Sequence, residues 1–517
     1  MNPACAVRGN SKRPWGALLM AFAMSLLLAG AATSGDSGAD RPYDVLRDPP
    51  TGKPQIVPII HKNELYIAWH TWAENRPAAK IVVGKIPTDR LAKGELTKIR
   101  EVKSFGTLVG FTVDATGADL VLTARAEELP NNPPANFVKE VHGTWRKDVL
   151  TMYASGRATD LNSEPFTRIP FYGLTNAGSG RLAAGPNHLA AVFARRHYSP
   201  NDKLIHQEAN ALLVSRKLST VIVKAENTVS HSFDQRLIFD GKDFVALHQA
   251  DSYPSAGLLI EKIRTIKAGT RPQVVRAPIY TCPTFANSVY FELGGLAAEP
   301  DGYPVLFTAT RNTAAVNAAN ERAMYNVAWD VALVYVLRDF DLKPRVANPH
   351  DVVNSGVLAR GYAPDQEFKV DNFIYNPQTS RYDKPEPRTI KRRVLWLTAN
   401  DATTKATNAK FVRLAAGQYV ALWEEHTLTG NRWQYATTRA LILTATGLGG
   451  NKSITKGRQA TLKGVRLHQG DHAIAITLEG APHAAWVTAG ATARQLRVHT
   501  LDADLTHNSY VLTTKGE

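Results

Sequence analysis

From residue 54 onward, apolar runs of five to seven residues alternate with short polar or glycine-containing turns, and sustained 3.6-residue periodicity is scarce. Runs of this length bounded by turn residues predict β-strands, and their density predicts an all-β fold. One unit recurs, in which a tight turn leads into a strand rich in Val, Leu, Ala and aromatic residues. It appears as ELYIAWHTW after Lys62-Asn63, DLVLTARA after Thr116-Gly117-Ala118, HLAAVFARR after Gly185-Pro186-Asn187 and DFVALHQAD after Gly241-Lys242. It returns as YPVLFTATR after Asp301-Gly302, QYVALWEEH after Gly417 and HAIAITLEG after Gly470-Asp471. Anchored on Glu64, Asp119, His188, Asp243, Tyr303, Gln418 and Ala473, the steps are 55, 69, 55, 60, 115 and 55 residues. The long step contains 351–393, a Pro- and charge-rich stretch (NPQTSRYDKPEPRTIKRR) that reads as an inserted exposed loop. A third apolar run completes each unit, for example KIVVGKI (80–86), GLLIEKI (257–263) and QLRVHTL (495–501).

Three or four antiparallel strands repeated seven times predict a seven-bladed β-propeller over 54–505, with 506–517 as a C-terminal tail. In this the chain resembles the β-propeller superfamily. The segments VSHSFDQR, FELGGLA and KFVRLAAGQYVALWEE resemble a group of exported bacterial proteins without an assigned activity, and that resemblance carries over no catalytic residue. Trp329-Asp330 is a lone Trp-Asp pair, which argues against a WD-repeat array, and no sialidase-type S-x-D-x-G-x-T-W box is present.

The N-terminus changes the picture. Arg8, Lys12 and Arg13 precede an apolar run from Trp15 to about Ala32 that ends in small residues, with no acid before Asp36. This is the pattern of a secretory signal peptide over 1–32, followed by a flexible leader over 33–53. A retained membrane anchor is the alternative. Cleavage leaves no further membrane span and places the mature protein in the periplasm or outside the cell. The formal charge of +15 then falls to about +12, and Cys282 becomes the last cysteine. A disulfide within the chain and a multi-cysteine metal site are thereby excluded, and Cys282 reads as a buried structural thiol.

A composition of 44% hydrophobic and 21% charged residues is that of a globular protein. The positive excess favours anionic partners. Export directs that preference away from nucleic acid and toward acidic polysaccharide or other cell-envelope components. Neither a phosphate-binding loop, a zinc-protease helix, a nucleophile elbow nor a calcium loop occurs, so no cofactor and no metal are expected. The protein is expected to be a monomer.

Candidate chemistry follows from the repeat. The tight turn joins the two inner strands of a blade, so residues before the first strand and after the second share the opposite, top face. In the fourth unit this gathers His231, Asp234 and Arg236 with His248, Asp251 and Tyr253. His231, His248, Tyr253 and Asp234 are candidates for acid–base work, and all six are candidates for ligand binding. Neighbouring units add Trp72 with His70, the run Arg195, Arg196, His197 and Tyr198, then Arg311, and Glu424, Glu425 and His426. Aromatic rings beside cations suit an anionic saccharide. Each of these residues also has a purely structural reading, and Trp423 and Trp433 fit core or blade-edge packing. Two functions are compatible with the set: an exported module that binds an anionic glycan or a protein partner, and a lyase or hydrolase acting on an acidic polysaccharide.

Overall fold

The computed structural model describes residues 56–71, 80–103, 107–128, 144–154, 157–168, 181–199, 204–215, 221–230, 235–250, 257–264, 273–281, 291–311, 327–343, 351–376, 381–430, 432–467, 473–489 and 495–515. All of them belong to the compact unit Pro42–Glu517.

The strands form up-and-down antiparallel meanders of four. The first contains β1 (Ile56–His61), β2 (Glu64–Thr71), β3 (Lys80–Pro87) and β4 (Glu95–Lys103). Next come β5 (Thr107–Val113), β6 (Asp119–Glu128), β7 (Thr144–Ala154) and β8 (Arg157–Arg168), then β9 (Arg181–Ala184), β10 (His188–Ser199), β11 (Leu204–Ser215) and β12 (Val221–Ser230). The meander of β13 (Gln235–Phe239), β14 (Phe244–Ala250), β15 (Gly257–Arg264) and β16 (Gln273–Thr281) follows. After it, β17 (Phe291–Leu296), β18 (Gly302–Ala309) and β19 (Asp330–Leu337) are completed by a later strand. A hairpin of β20 (Asp365–Asn376) and β21 (Arg381–Arg393) is inserted before that strand, β22 (Leu395–Trp396), takes its place. The chain ends with β23 (Thr404–Ala415), β24 (Gln418–Thr429), β25 (Arg432–Thr446) and β26 (Ser453–Leu462), and with β27 (Ala473–Leu478), β28 (Ala481–Ala489), β29 (Gln495–Leu501) and β30 (His507–Lys515).

Consecutive meanders stack face to face, which explains why the second strands are continuous apolar runs rather than half-polar ones. In β2, Leu65, Ile67 and Trp69 share a core with Ile476 and Ala485, while Tyr66 and Ala68 share another with Leu108, Phe111 and Val121. In β24, Tyr419, Ala421 and Trp423 pack with Leu306 and Tyr335, whereas Val420 and Leu422 pack with Trp486 and Leu501. The first strands touch in succession: β1 with β5, β5 with β9, β9 with β13, β13 with β17, β17 with β23, β23 with β27, and β27 with β1. Meanders stacked in this way around their first strands form a β-propeller.

Three sequence expectations change. The stretch 351–393 is not a loop throughout, since β20 and β21 pair from Asp365↔Arg393 to Asn376↔Arg381. The C-terminal stretch is not a tail, because β30 pairs with β29 and, in parallel, with β4 through Thr513↔Glu95 and Lys515↔Thr97. The final anchor is displaced by one strand: Ala473 opens the first strand of its meander, and the turn at Glu479-Gly480 leads into β28. Outer strands escaped the sequence reading because they are edges with little apolar burial. In β26, SITKGRQATL, only Ile454 and Leu462 are buried.

Candidate ligand-binding face

The turns between first and second strands mark one end of the stack, the bottom. Polar side chains there are tied to one another. Asp240 accepts from the amides of Lys242 and Asp243 and from the Tyr303 hydroxyl at 2.5 Å, and Arg338 lies 2.9 Å away. Burial pushes the Asp240 carboxyl up, but these donors outweigh it and its pKa falls. Asp301 accepts from Tyr335, Lys452 and the Gly449 amide, and Glu299 from Arg413 and Tyr419.

The opposite end is built differently. On β23 a bulge over Thr407–Lys410 puts Asn408 at φ 53°, in the left-handed region that asparagine tolerates better than most residues. The Asn408 amide donates to Glu292 of β17 at 2.8 Å, and its side-chain nitrogen donates to Glu424 of β24 at 3.0 Å. Glu424 is fully buried and also accepts from the Leu467 amide and from Arg466 at 3.2 Å, with His426 Nε2 at 3.1 Å. Burial alone would raise the Glu424 pKa, yet His426, Arg466 and the Leu467 amide lower it, so the group stays ionised. The Arg466 guanidinium lies 4.2 Å from the Tyr435 ring centroid, and its side chain remains 54% exposed. Tyr435 is in turn fixed by donating to the Val465 carbonyl at 2.7 Å. The result is an outward-facing cation held by a buried acid and supported by a ring.

A second such pair stands on β19. Asp330, 3% exposed, accepts from Thr398 and from the Asn400 amide, and lies 3.6 Å from Arg311, whose side chain is 46% exposed. Burial raises the Asp330 pKa against these partners. Lys405 lies 3.7 Å over the Trp329 ring and 5.8 Å from that of Trp433, and burial lowers its pKa. Glu425 pairs with Arg439 at 2.8 Å. Among the described residues no three His, Cys, Asp or Glu side chains converge as metal ligands, and no helix is long and apolar enough to cross a membrane.

The sequence-predicted residues divide clearly. His248 is fully buried within β14, with Nε2 3.1 Å from Glu261 Oε2, and Arg276 reaches the other Glu261 oxygen at 3.3 Å. Arg236 is also buried, with Nη2 donating across to the Leu293 carbonyl of β17 at 2.5 Å. Both sit inside the wall rather than at its mouth. Arg195, Arg196, His197 and Tyr198 lie on β10, opposite Glu208, Gln207, His206 and Ile205, and His70 lies on β2 opposite Ile81. The side chains of these residues, together with Trp72, His231, Asp234, Asp251, Tyr253 and Cys282, lie outside the described residues. Glu424, Glu425 and His426 lie within β24 rather than after it, with Glu424 fully buried, and Arg311 follows β18. Arg466 and Asp330 were missed. Arg466 lies 42 positions from Glu424, in the connection after a fourth strand, where no spacing rule links them.

No family model matches the chain, and no curated protein matches it. Several solved structures are similar at low identity. A protein of unknown function from Dyadobacter fermentans is 9% identical with a TM-score of 0.35, over 75% of this chain and 93% of that one. Extracellular domains 1–2 of Drosophila Semaphorin 1b are 9% identical with a TM-score of 0.38, over 90% and 85%. A GH43 endo-arabinanase from Bacillus licheniformis is 8% identical with a TM-score of 0.28, over 77% and 96%. None of these likenesses bears on the chemistry of the top face.

Proposed function

We propose that the chain is an exported, seven-bladed β-propeller that binds an anionic glycan at its top face. Seven blades accord with the cyclic succession of first-strand contacts from β1 through β27 and back to β1. Export rests on the signal-peptide pattern of residues 1–32. The observation that carries the binding reading is Arg466, stacked on Tyr435 and anchored by the buried, ionised Glu424. A guanidinium oriented in this way loses little freedom on meeting a carboxylate or sulfate, and the adjoining ring offers a face to a sugar.

The enzymatic alternative, a lyase or hydrolase on acidic polysaccharide, needs an exposed base beside a cation. His248 belongs to that candidate set and is fully buried, while His426 is engaged with Glu424. Among the described residues the Arg466–Tyr435–Glu424 arrangement supports binding, and the other acid–base candidates, His231, Asp234 and Tyr253, lie outside them. The test is affinity for uronic-acid and sulfated polysaccharides, with neutral dextran as control and assay for unsaturated or reducing-end products. Wild-type protein is expected to bind the acidic polymers, more weakly at higher salt, without product release. Arg466→Ala is expected to weaken binding about tenfold, in keeping with loss of one charge-assisted contact. Product release would favour the enzyme. Binding to a protein ligand but to no glycan would favour a protein partner.

A further inference from the structure

Positive charge is concentrated in one part of the chain. Residues 402–470, which hold the β23–β26 meander, contain ten Lys and Arg against two acids, so more than half of the formal charge of +15 falls there. Both acids are engaged near the top: Glu424 is buried and holds Arg466, and Glu425 pairs with Arg439. The outer strand β26 rises from the turn at 447–452, at the bottom, and carries exposed Lys456 and Arg458. From Lys456 to its end at Leu462 the strand covers about 20 Å. Exposed Lys463 follows directly, and Arg466 lies three residues further on. The intervening Val465 carbonyl accepts from Tyr435 and Thr438, which ties this connection to β25 at the top end of the strand. The cations of β26 therefore lead to the guanidinium of the top face.

These cations are held in place but little neutralised. Lys456 donates to the carbonyls of Trp396 at 2.8 Å and Leu397 at 3.0 Å, which orients its ammonium without cancelling the charge. Arg458 meets Asp504 at 2.6 Å with both side chains 68% exposed, and so open a pair contributes little and exchanges readily for another anion. Thr455, Gln459 and Thr461 are exposed between the cations and offer hydroxyl and amide groups. The large apolar residues of the strand, Ile454 and Leu462, are buried, so the strip has no apolar face to lay into a lipid layer. We infer that β26 is a track for an extended acidic polysaccharide, which is held at Arg466 and runs down the strand past Lys463, Arg458 and Lys456. The inference rests on the glycan reading above and adds a second contact region and a preference for longer chains. Cations spaced along one extended strand match an acidic group on successive sugars. Each further contact is made by a chain already held at Arg466, so weak exposed contacts add to affinity.

The test compares digalacturonate with octagalacturonate on the full chain at one low salt concentration. Wild-type protein is expected to bind the longer sugar about tenfold more tightly. The triple variant Lys456→Gln, Arg458→Gln, Lys463→Gln is expected to lower the octagalacturonate affinity about tenfold, close to that of digalacturonate. A control, Arg90→Gln, Lys93→Gln, Lys242→Gln, removes the same charge from exposed turns at the bottom and is expected to bind both sugars as wild type does. Lysine acetylation read by mass spectrometry needs no variant: octagalacturonate is expected to shield Lys456 and Lys463, and digalacturonate to leave them reactive. Equal affinity for the two sugars, an equal loss in the control, or unshielded lysines would overturn the track. Digalacturonate binding that Arg466→Ala weakens would then leave the glycan reading standing, whereas failure of wild type to bind either sugar would overturn both. Binding of phosphatidylglycerol vesicles through these lysines, with no binding of octagalacturonate, would assign the strip to lipid instead.

Discussion

Trp486, His499 and His507 illustrate how single residues carry pH sensitivity in this protein. The Trp486 indole is fully buried and stacks on His499 at 5.1 Å and on His507 at 5.9 Å between ring centroids. His499 Nδ1 and His507 Nε2 are 3.1 Å apart, so one nitrogen must donate and the other accept. Thr488 Oγ1 lies 3.1 Å from His499 Nε2 on the other side. Burial lowers the His507 pKa in the folded state. The unfolded chain therefore takes up a proton at a pH where the folded chain still resists it. The stabilisation is complete above the ordinary histidine pKa of about 6.5 and is lost as pH falls through the lower folded value. Thermal unfolding between pH 7.5 and 5 is expected to show a steeper fall in Tm for wild type than for His507→Gln. Equal slopes would show that the pair contributes nothing in this range.

At the scale of elements, the outer strands are where local sequence is least informative and where one glycine decides the geometry. Gly94 sits at φ 69° between the 3₁₀ turn Thr88–Lys93 and β4, and its carbonyl accepts from the Thr513 amide at 2.7 Å. A Cβ placed there would lie 2.5 Å from the Val511 carbonyl oxygen. Gly94→Ala meets both an unfavourable backbone region and the β30 backbone, a combined cost of about 1–3 kcal/mol. Chemical denaturation is expected to show that loss with little change in the denaturant slope. A variant as stable as wild type would mean that β30 moves away freely. Gly117→Ala is a suitable comparison: it also has positive φ, but its nearest non-neighbouring atom is a side-chain nitrogen at 3.6 Å.

For the whole molecule, the parallel pairing of β30 with β4 joins the last meander to the first at their outer edges. The core shared by Leu65, Ile67 and Trp69 with Ile476, Val487 and Leu512 joins them on their packed faces. Deleting residues 507–517 removes Leu512, which is fully buried, and bares the edges of both β29 and β4. Loss of one core leucine alone costs about 3 kcal/mol, and the unpaired edges add to it. The truncated chain is expected to unfold at least several degrees below wild type and to be cleaved sooner in limited proteolysis. Unchanged stability and protease resistance would show that the seam holds without the C-terminal strand.

Much of this architecture is legible in the chain itself. Turn residues and apolar runs mark the second strands because both faces of each strand are buried, which demands apolar side chains at successive positions. The outer strands escape notice because edge positions tolerate polar residues, as in SITKGRQATL. The repeat sets His248 after the second strand at the top face, whereas β14 runs on to Ala250 and its packing against β15 buries His248 beside Glu261. The same limit applies to charge. An excess of cations is visible in composition, but which of them face outward depends on partners remote in sequence, as Arg466 depends on Glu424 and Tyr435. The sequence by itself determined the all-β repeat, because strand and turn propensities act over a few residues. Only the tertiary structure decided which polar groups are buried, which are exposed and which partners they meet, because burial and pairing arise between strands far apart in the chain.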